Sequence, residues 1–133
     1  MKIQHIALWT YQLEALKDFY VTFFSGHVDA HYFNPEKQFE SYFLSFESGS
    51  RLELMTMPDI PQSKDDAHAQ FTGIIHIAFD AGSPQAVDNL TEKIGQAGWP
   101  VIGKPRTTGD GYYESVILDP DNNRIEIACK PDA

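Results

Sequence analysis

The chain carries a single cysteine, Cys129, so it forms no internal disulfide and gives no sign of an oxidising compartment. It has no apolar run near the roughly 18 residues that a membrane-crossing helix needs. Its first residues also lack the charged-then-apolar layout of a secretory leader, so a cytoplasmic protein without a membrane partner is expected. Cations are scarce as well: ten Lys and Arg against nineteen Asp and Glu give a net charge of −9. Those ten are scattered, and a chain of this charge repels nucleic acid, which excludes it as an expected partner. Core-forming residues are not lacking. With 133 residues, 42% apolar and 13% aromatic, one domain can bury about two thirds of its unfolded surface, so neither disorder nor covalent staples are called for.

Residues 3–9 alternate as a strand, with Ile3, His5, Ala7 and Trp9 on one face and Ile6 and Leu8 on the other. Leu13, Leu16, Phe19, Tyr20 and Phe23 then follow helical spacing, which predicts a helix over 13–24 that ends near Gly26. Strands are predicted over 28–34, 39–47 and 51–56, divided by the turn signals Asn34-Pro35 and Ser48-Gly49-Ser50. The stretch 57–72 has no period and reads as a linker or lid. After it the same order returns, with a strand over 74–79, a helix over 83–96 and strands over 99–103, 112–118 and 124–129.

The recurrence can be measured. His5-Ile6-Ala7 returns as His76-Ile77-Ala78 at an offset of 71, and Arg51-Leu52-Glu53-Leu54 returns as Arg124-Ile125-Glu126-Ile127 at an offset of 73. A drift of two residues is one loop insertion. The expected fold is therefore α+β: a single domain over 1–133 made of two βαβββ repeats, about 1–57 and 73–130, each sheet having an apolar face for its own helix and a second face to share.

Strand parity says where the repeated polar residues point. Leu52 and Leu54 face the helix, so Glu53 faces away from it, and Glu126 does the same opposite Ile125 and Ile127. His5 and His76 also avoid the helix face. Two imidazoles and two carboxylates on matching first and last strands are ligand types for a divalent transition metal. Converging carboxylates would cost several kcal/mol without a cation to compensate them.

At these residues the chain resembles the vicinal oxygen chelate superfamily, also known as the glyoxalase, bleomycin resistance and dioxygenase superfamily. The doubled His-Ile-Ala and Leu-Glu-Leu or Ile-Glu-Ile strands carry the likeness. So does the tail from Gly111-Tyr112-Tyr113 through Leu118-Asp119-Pro120-Asp121-Asn122-Asn123-Arg124-Ile125-Glu126, where Asn122 replaces a usual Gly that a left-handed turn position accepts. The order His, Glu, His, Glu resembles glyoxalase I. It implies that the two βαβββ repeats form a curved sheet around a metal-binding cleft, with one divalent ion, Zn or Ni first and Mn, Co or Fe next, held by His5, Glu53, His76 and Glu126, and with a small-molecule substrate and a homodimer as partners. It also implies catalytic roles for Glu126, the proton shuttle, and Glu53, the charge-balancing ligand.

The chain departs from that pattern at Trp9 and Met57, where bacterial glyoxalase I has an Arg and an Asn that hold glutathione. The closer likeness is to the small lactoylglutathione-lyase-like proteins. Ring-cleaving dioxygenases and thiol transferases of this fold use a His, His, Glu set, and a non-catalytic binding or resistance protein is the alternative from another class.

Lesser candidates read as ordinary structure. His27 and His31 fall on a strand, about 13 Å apart, and cannot chelate one ion. His68 lies in the linker, and Cys129 has core parity. The loop 103–111 is expected to be a flexible cleft rim containing Lys104 and Arg106, Glu114 to be exposed, and Trp9, Met55 and Tyr113 are candidates for lining the cleft.

Overall fold

In the computed structural model, which describes residues 1–131, the opening alternation becomes strand β1 (His5–Trp9). Helix α1 (Leu13–Phe24) follows, with Leu13, Leu16, Phe19 and Tyr20 buried along one stripe. The chain leaves α1 through Ser25 in the left-handed region (φ 56°), and the Gly26 N–H closes onto the Tyr20 carbonyl at 3.1 Å. A Cβ on Gly26 would stand 3.2 Å from that carbonyl oxygen, tighter than most such contacts, so glycine eases the close approach. Strands β2 (His27–Asn34), β3 (Phe39–Ser45) and β4 (Arg51–Thr56) complete the first repeat in a sheet of order β1-β4-β3-β2, with β1 parallel to β4.

The second repeat copies this plan. Strand β5 (His76–Asp80) leads into helix α2 (Pro84–Gln96), and β6 (Val101–Thr107), β7 (Tyr113–Leu118) and β8 (Arg124–Cys129) form a sheet of order β5-β8-β7-β6 with β5 parallel to β8. Ser83 caps α2 by accepting the Ala86 N–H at 3.2 Å, and Pro84 takes the first helical turn, where its missing donor costs nothing. The two βαβββ repeats expected from sequence are thus present, each with a four-stranded mixed sheet and one helix. The protein divides into two compact units, Met1–Ser63 and Lys64–Ala133. Among the described residues, no helix is long and apolar enough to cross a membrane.

In each unit one sheet face belongs to the helix. Leu44, Leu52 and Leu54 are buried against α1, and Val87 and Ile94 of α2 meet the face of Ile117, Ile125 and Ile127. Cys129 shares the latter face, and its thiol is pushed up by burial, which suits an inert core group. Thr91 and Ser115 bond at 2.6 Å inside this core, and Thr91 also donates to the Val87 carbonyl, so neither hydroxyl is left unpaired.

Two expectations need correction. The first strand of the second repeat begins at His76, not at 74, and Ile74 is exposed. Strand β6 runs through to Thr107, so half of the supposed 103–111 loop is edge strand. Its register shifts between Gly103 and Arg106, which accommodates Pro105 without the ladder bond it cannot make. His27 and His31 lie on β2 as expected, and a register shift between Val28 and Ala30 puts His27 opposite Ser45 and His31 opposite Tyr42, on opposite sheet faces. His31 stacks on Tyr42 with ring centres 4.5 Å apart and bonds Glu40 at 2.9 Å, as an exposed histidine.

The turn before β8 is built on Asp119, which is 1% exposed and accepts from the N–H groups of Asp121 and Asn123 and from Asn123 Nδ2, each at 2.9 Å. Asn122 sits at φ 63°, the left-handed position expected from sequence. Asn122→Gly is therefore expected to leave the melting temperature within a degree or two, whereas Asn122→Val should destabilise by about 1–3 kcal/mol. Thermal unfolding of the two variants checks this, and equal melting temperatures would contradict it.

Candidate metal centre

In unit Met1–Ser63, the parallel register pairs Ala7 with Glu53 and His5 with Arg51, so both His5 and Glu53 project from the face opposite α1. His5 Nε2 lies 3.8 Å from Glu53 Oε1, with the imidazole 40% exposed and the carboxylate 15% exposed. Gln4 contacts His5 Nδ1, so Nε2 is the nitrogen presented to the carboxylate. With its amide oxygen toward Arg51, Gln4 accepts from that guanidinium at 2.6 and 3.1 Å. Phe43, opposite Glu53 in β3, meets the His5 ring edge-on at 5.3 Å and lies under Arg51, whose guanidinium is 4.2 Å from its centre.

Unit Lys64–Ala133 repeats the arrangement with different neighbours. Ala78 pairs with Glu126 and His76 with Arg124, and His76 Nδ1 lies 3.3 Å from Glu126 Oε1. The two diads therefore present different ring nitrogens. The partner across β7 is Val116, and the next residue on that face is Glu114, opposite Ala128.

Glu114 is the residue that sequence reasoning missed. Expected to be exposed, its side chain is only 14% exposed, with Arg106 Nη2 at 3.8 Å. Burial pushes its carboxyl above the usual carboxylate range; the Glu126 carboxylate adds to the rise and Arg106 partly opposes it. The offset of 73 that pairs Glu53 with Glu126 also pairs Ser41 with Glu114, and Ser41 faces the first diad side through Met55. That was the available signal. Tyr113, by contrast, turns toward α2 and donates to Asp88 at 2.7 Å, so it does not line the diad face. Trp9 and Met55 do lie on the diad face of their sheet.

His68 is exposed in the linker, whose backbone is held by local bonds. Asp66 accepts the N–H groups of His68 and Ala69 at 2.8 and 2.7 Å, and Arg124 Nη1 donates to the Ala67 carbonyl at 2.6 Å. A shallow groove against α2, lined by Asp88, Glu92, Gln96 and Lys104 among others, is separate from the His76–Glu126 pair.

Each unit thus brings together one imidazole and one carboxylate, out of the four residues singled out from sequence. Among the described residues no group of three or more His, Cys, Asp or Glu is gathered to hold a metal ion. The donor chemistry of the two diads nevertheless suits a divalent transition ion: each offers a nitrogen and an oxygen within 4 Å of one another, on a part-buried carboxylate with no lysine or arginine bonded to it.

Comparison with known proteins agrees with this architecture. The uncharacterised protein YqjT of Bacillus subtilis is 29% identical over 132 residues, which is 96% of this chain and 98% of that protein. The structure of a glyoxalase/dioxygenase from Nostoc punctiforme superposes with a TM-score of 0.78 at 26% identity, covering 98% of this chain and 92% of that one. A glyoxalase I variant from Zea mays shares the fold with a TM-score of 0.79 at 21% identity; 98% of this chain is covered but only 45% of the maize chain. Residues 2–127, nearly the whole chain, match one family, and the protein belongs to the glyoxalase/bleomycin resistance protein/dioxygenase superfamily.

Proposed function

We propose that the protein is a metal-dependent lyase or isomerase of the glyoxalase type, acting on a small carbonyl substrate that presents adjacent oxygens. The observation that carries this reading is the recurrence of one diad, His5 with Glu53 and His76 with Glu126, at the same register positions of two repeats and on the face that the helix leaves open. His5, Glu53, His76 and Glu126 would hold one divalent ion, Zn or Ni before Mn, Co or Fe. When bound, the ion supplies Lewis-acid polarisation of a substrate oxygen.

The chain's own residues do the rest. The imidazoles fix the ion's position, and Gln4 holds the His5 ring so that its Nε2 is presented. Glu126 takes the proton from the substrate carbon and returns it to the neighbouring carbon, which requires a carboxylate oxygen within about 3 Å of the carbon-bound hydrogen. Glu53 balances charge. Its surroundings suit that passive role, since Phe43 rather than a second carboxyl stands opposite it in the sheet register and the His5 imidazole lies 3.8 Å away.

Elemental analysis of gently purified protein, followed by turnover assays on hemithioacetals and other α-oxo carbonyls, tests the proposal. A near-stoichiometric divalent ion with proton exchange at the substrate carbon is the expected result. Oxygen uptake with Fe(II) would favour a ring-cleaving dioxygenase, and a stoichiometric ion without any turnover would favour a binding protein. Removal of the ion by a chelator is expected to lower the melting temperature by several degrees, because a ligand at 100 times its Kd stabilises the native state by about 2.7 kcal/mol. An unchanged melting curve would remove the metal from the proposal. We also propose a homodimer, for which light scattering at micromolar concentration should give twice the 15.0 kDa chain mass. A monomer would contradict it.

A further inference from the structure

The two diads differ in the residue that precedes each histidine. Residue 4 is Gln in the first repeat, and at the offset of 71 that relates His5 to His76 its counterpart is Ile75. The Gln4 amide stands between two neighbours. On one side is the Arg51 guanidinium, with Nη2 at 2.6 Å and Nε at 3.1 Å, and on the other is His5 Nδ1.

A guanidinium only donates, so the side of the amide that faces Arg51 has to be its oxygen. The NH2 group is then turned to His5 Nδ1. An N–H donor needs a lone pair to meet, so Nδ1 is bare and the ring hydrogen sits on Nε2, where it faces Glu53 Oε1 at 3.8 Å. Donors and acceptors thus run in one direction, from Arg51 through Gln4 and His5 to Glu53. Arg51 is itself held in place: its Nη1 donates to Asp29 at 3.3 Å, and its guanidinium lies 4.2 Å from the centre of the Phe43 ring.

This polarity is the reverse of what a metal ligand needs. An imidazole that binds an ion through Nε2 keeps its lone pair there and donates its Nδ1–H to an acceptor. At His5 that would require the Gln4 amide to turn over, which would set its NH2 group against the guanidinium. Both ring forms are neutral, so hydrogen bonding chooses between them without any change of charge. In the second repeat Arg124, the counterpart of Arg51, donates Nη1 to the Ala67 carbonyl at 2.6 Å, and Ile75 has no amide to turn.

We propose that Arg51 and Gln4 are positioning residues that latch His5 in its Nε2–H form, so that an ion joins the first diad only by displacing Arg51 from Gln4, whereas Ile75 leaves His76 without that latch. The competition with an ion rests on the metal reading given above, while the form of the ring depends only on Gln4 and Arg51.

Two measurements on the full chain test this. Long-range proton–nitrogen NMR of metal-stripped protein, at a pH that keeps the ring neutral, reads which nitrogen of His5 carries the hydrogen. Calorimetry with Zn²⁺ against a competing chelator reads affinity. Gln4→Glu offers an acceptor to both neighbours, so His5 is expected to change to the Nδ1–H form. Gln4→Ile copies the second repeat at an exposed position without altering charge, and it is expected to bind Zn²⁺ about tenfold more tightly. A side chain that merely supports ligation would give the opposite sign. Arg51→Met should tighten Zn²⁺ binding more in the wild type than in Gln4→Ile, since both lose the same positive charge but only the wild type loses the latch. The latch is overturned by any one of three results: His5 still in the Nε2–H form in Gln4→Glu, weaker or unchanged Zn²⁺ affinity in Gln4→Ile, or equal gains from Arg51→Met in the two backgrounds. If neither the wild type nor any variant binds Zn²⁺ while the ring form still follows residue 4, the latch on the ring stands and the metal reading falls.

Discussion

His5→Ala and His76→Ala are each expected to weaken metal binding by at least about a hundredfold and to abolish turnover, whereas Glu126→Gln should keep appreciable metal and lose turnover by about 10²–10⁴-fold. The contrast follows from the neighbours of each group. A histidine supplies a neutral nitrogen donor that no other residue of its diad face replaces, so its loss removes a ligand outright. Glu126→Gln retains an oxygen donor but cannot take a proton. Glu53→Gln, in the proposed role, reduces metal affinity more than it reduces the rate of a loaded enzyme. Metal content and single-turnover proton exchange, measured on the same preparations, separate the two effects. Full exchange in metal-loaded Glu126→Gln, with loss only in Glu53→Gln, would reverse the two roles.

Truncation on the other sheet face acts through stability alone. Leu54 and Ile127 occupy matching places in the two repeats, one residue after Glu53 and Glu126, and both are fully buried. Leu54→Ala and Ile127→Ala are each expected to destabilise by about 2–5 kcal/mol, since the removed methyl groups leave a cavity that a packed sheet–helix layer closes only in part. The melting temperature should fall on the order of 10 °C. Glu53→Gln in metal-free protein should change stability by about 1 kcal/mol or less, because its carboxylate faces away from that core. Denaturant unfolding of the three variants tests the assignment of faces. A Glu53→Gln cost as large as that of Leu54→Ala would mean that the faces had been assigned wrongly.

Much of this was legible before any coordinates. The repeat is local in character: two copies of strand, helix and three strands, each with its own period of two or 3.6, can be aligned by counting residues. Parity then places His5, Glu53, His76 and Glu126 opposite the apolar residues beside them, because side chains alternate whatever the partner strand is. The left-handed Asn122 was equally readable from its turn.

What escaped was non-local. Glu114 lies on a strand whose phase could not be anchored from its own residues, since Tyr113 and Val116 are both acceptable on either face; only pairing with β8 sends Tyr113 to Asp88 and Glu114 to the side of Glu126. The register shift in β2 places His27 and His31 on opposite faces, although their spacing alone puts them on the same one. Pro105 and Gly103 read as loop because isolated strands avoid them, yet an edge strand with a shifted register holds both.

The sequence by itself determined the two βαβββ repeats, the helix face of each sheet and the side on which the four candidate ligands project, because alternation and helical spacing are properties of neighbouring residues. Only the tertiary structure decided which ring nitrogen meets which carboxylate, that Glu114 stands beside Glu126, and that Trp9 and Tyr32 both meet the ring of Phe39. Those relations join residues as far apart as His76 and Glu126, 50 positions along the chain, through strand register, which is set by the packing of whole sheets.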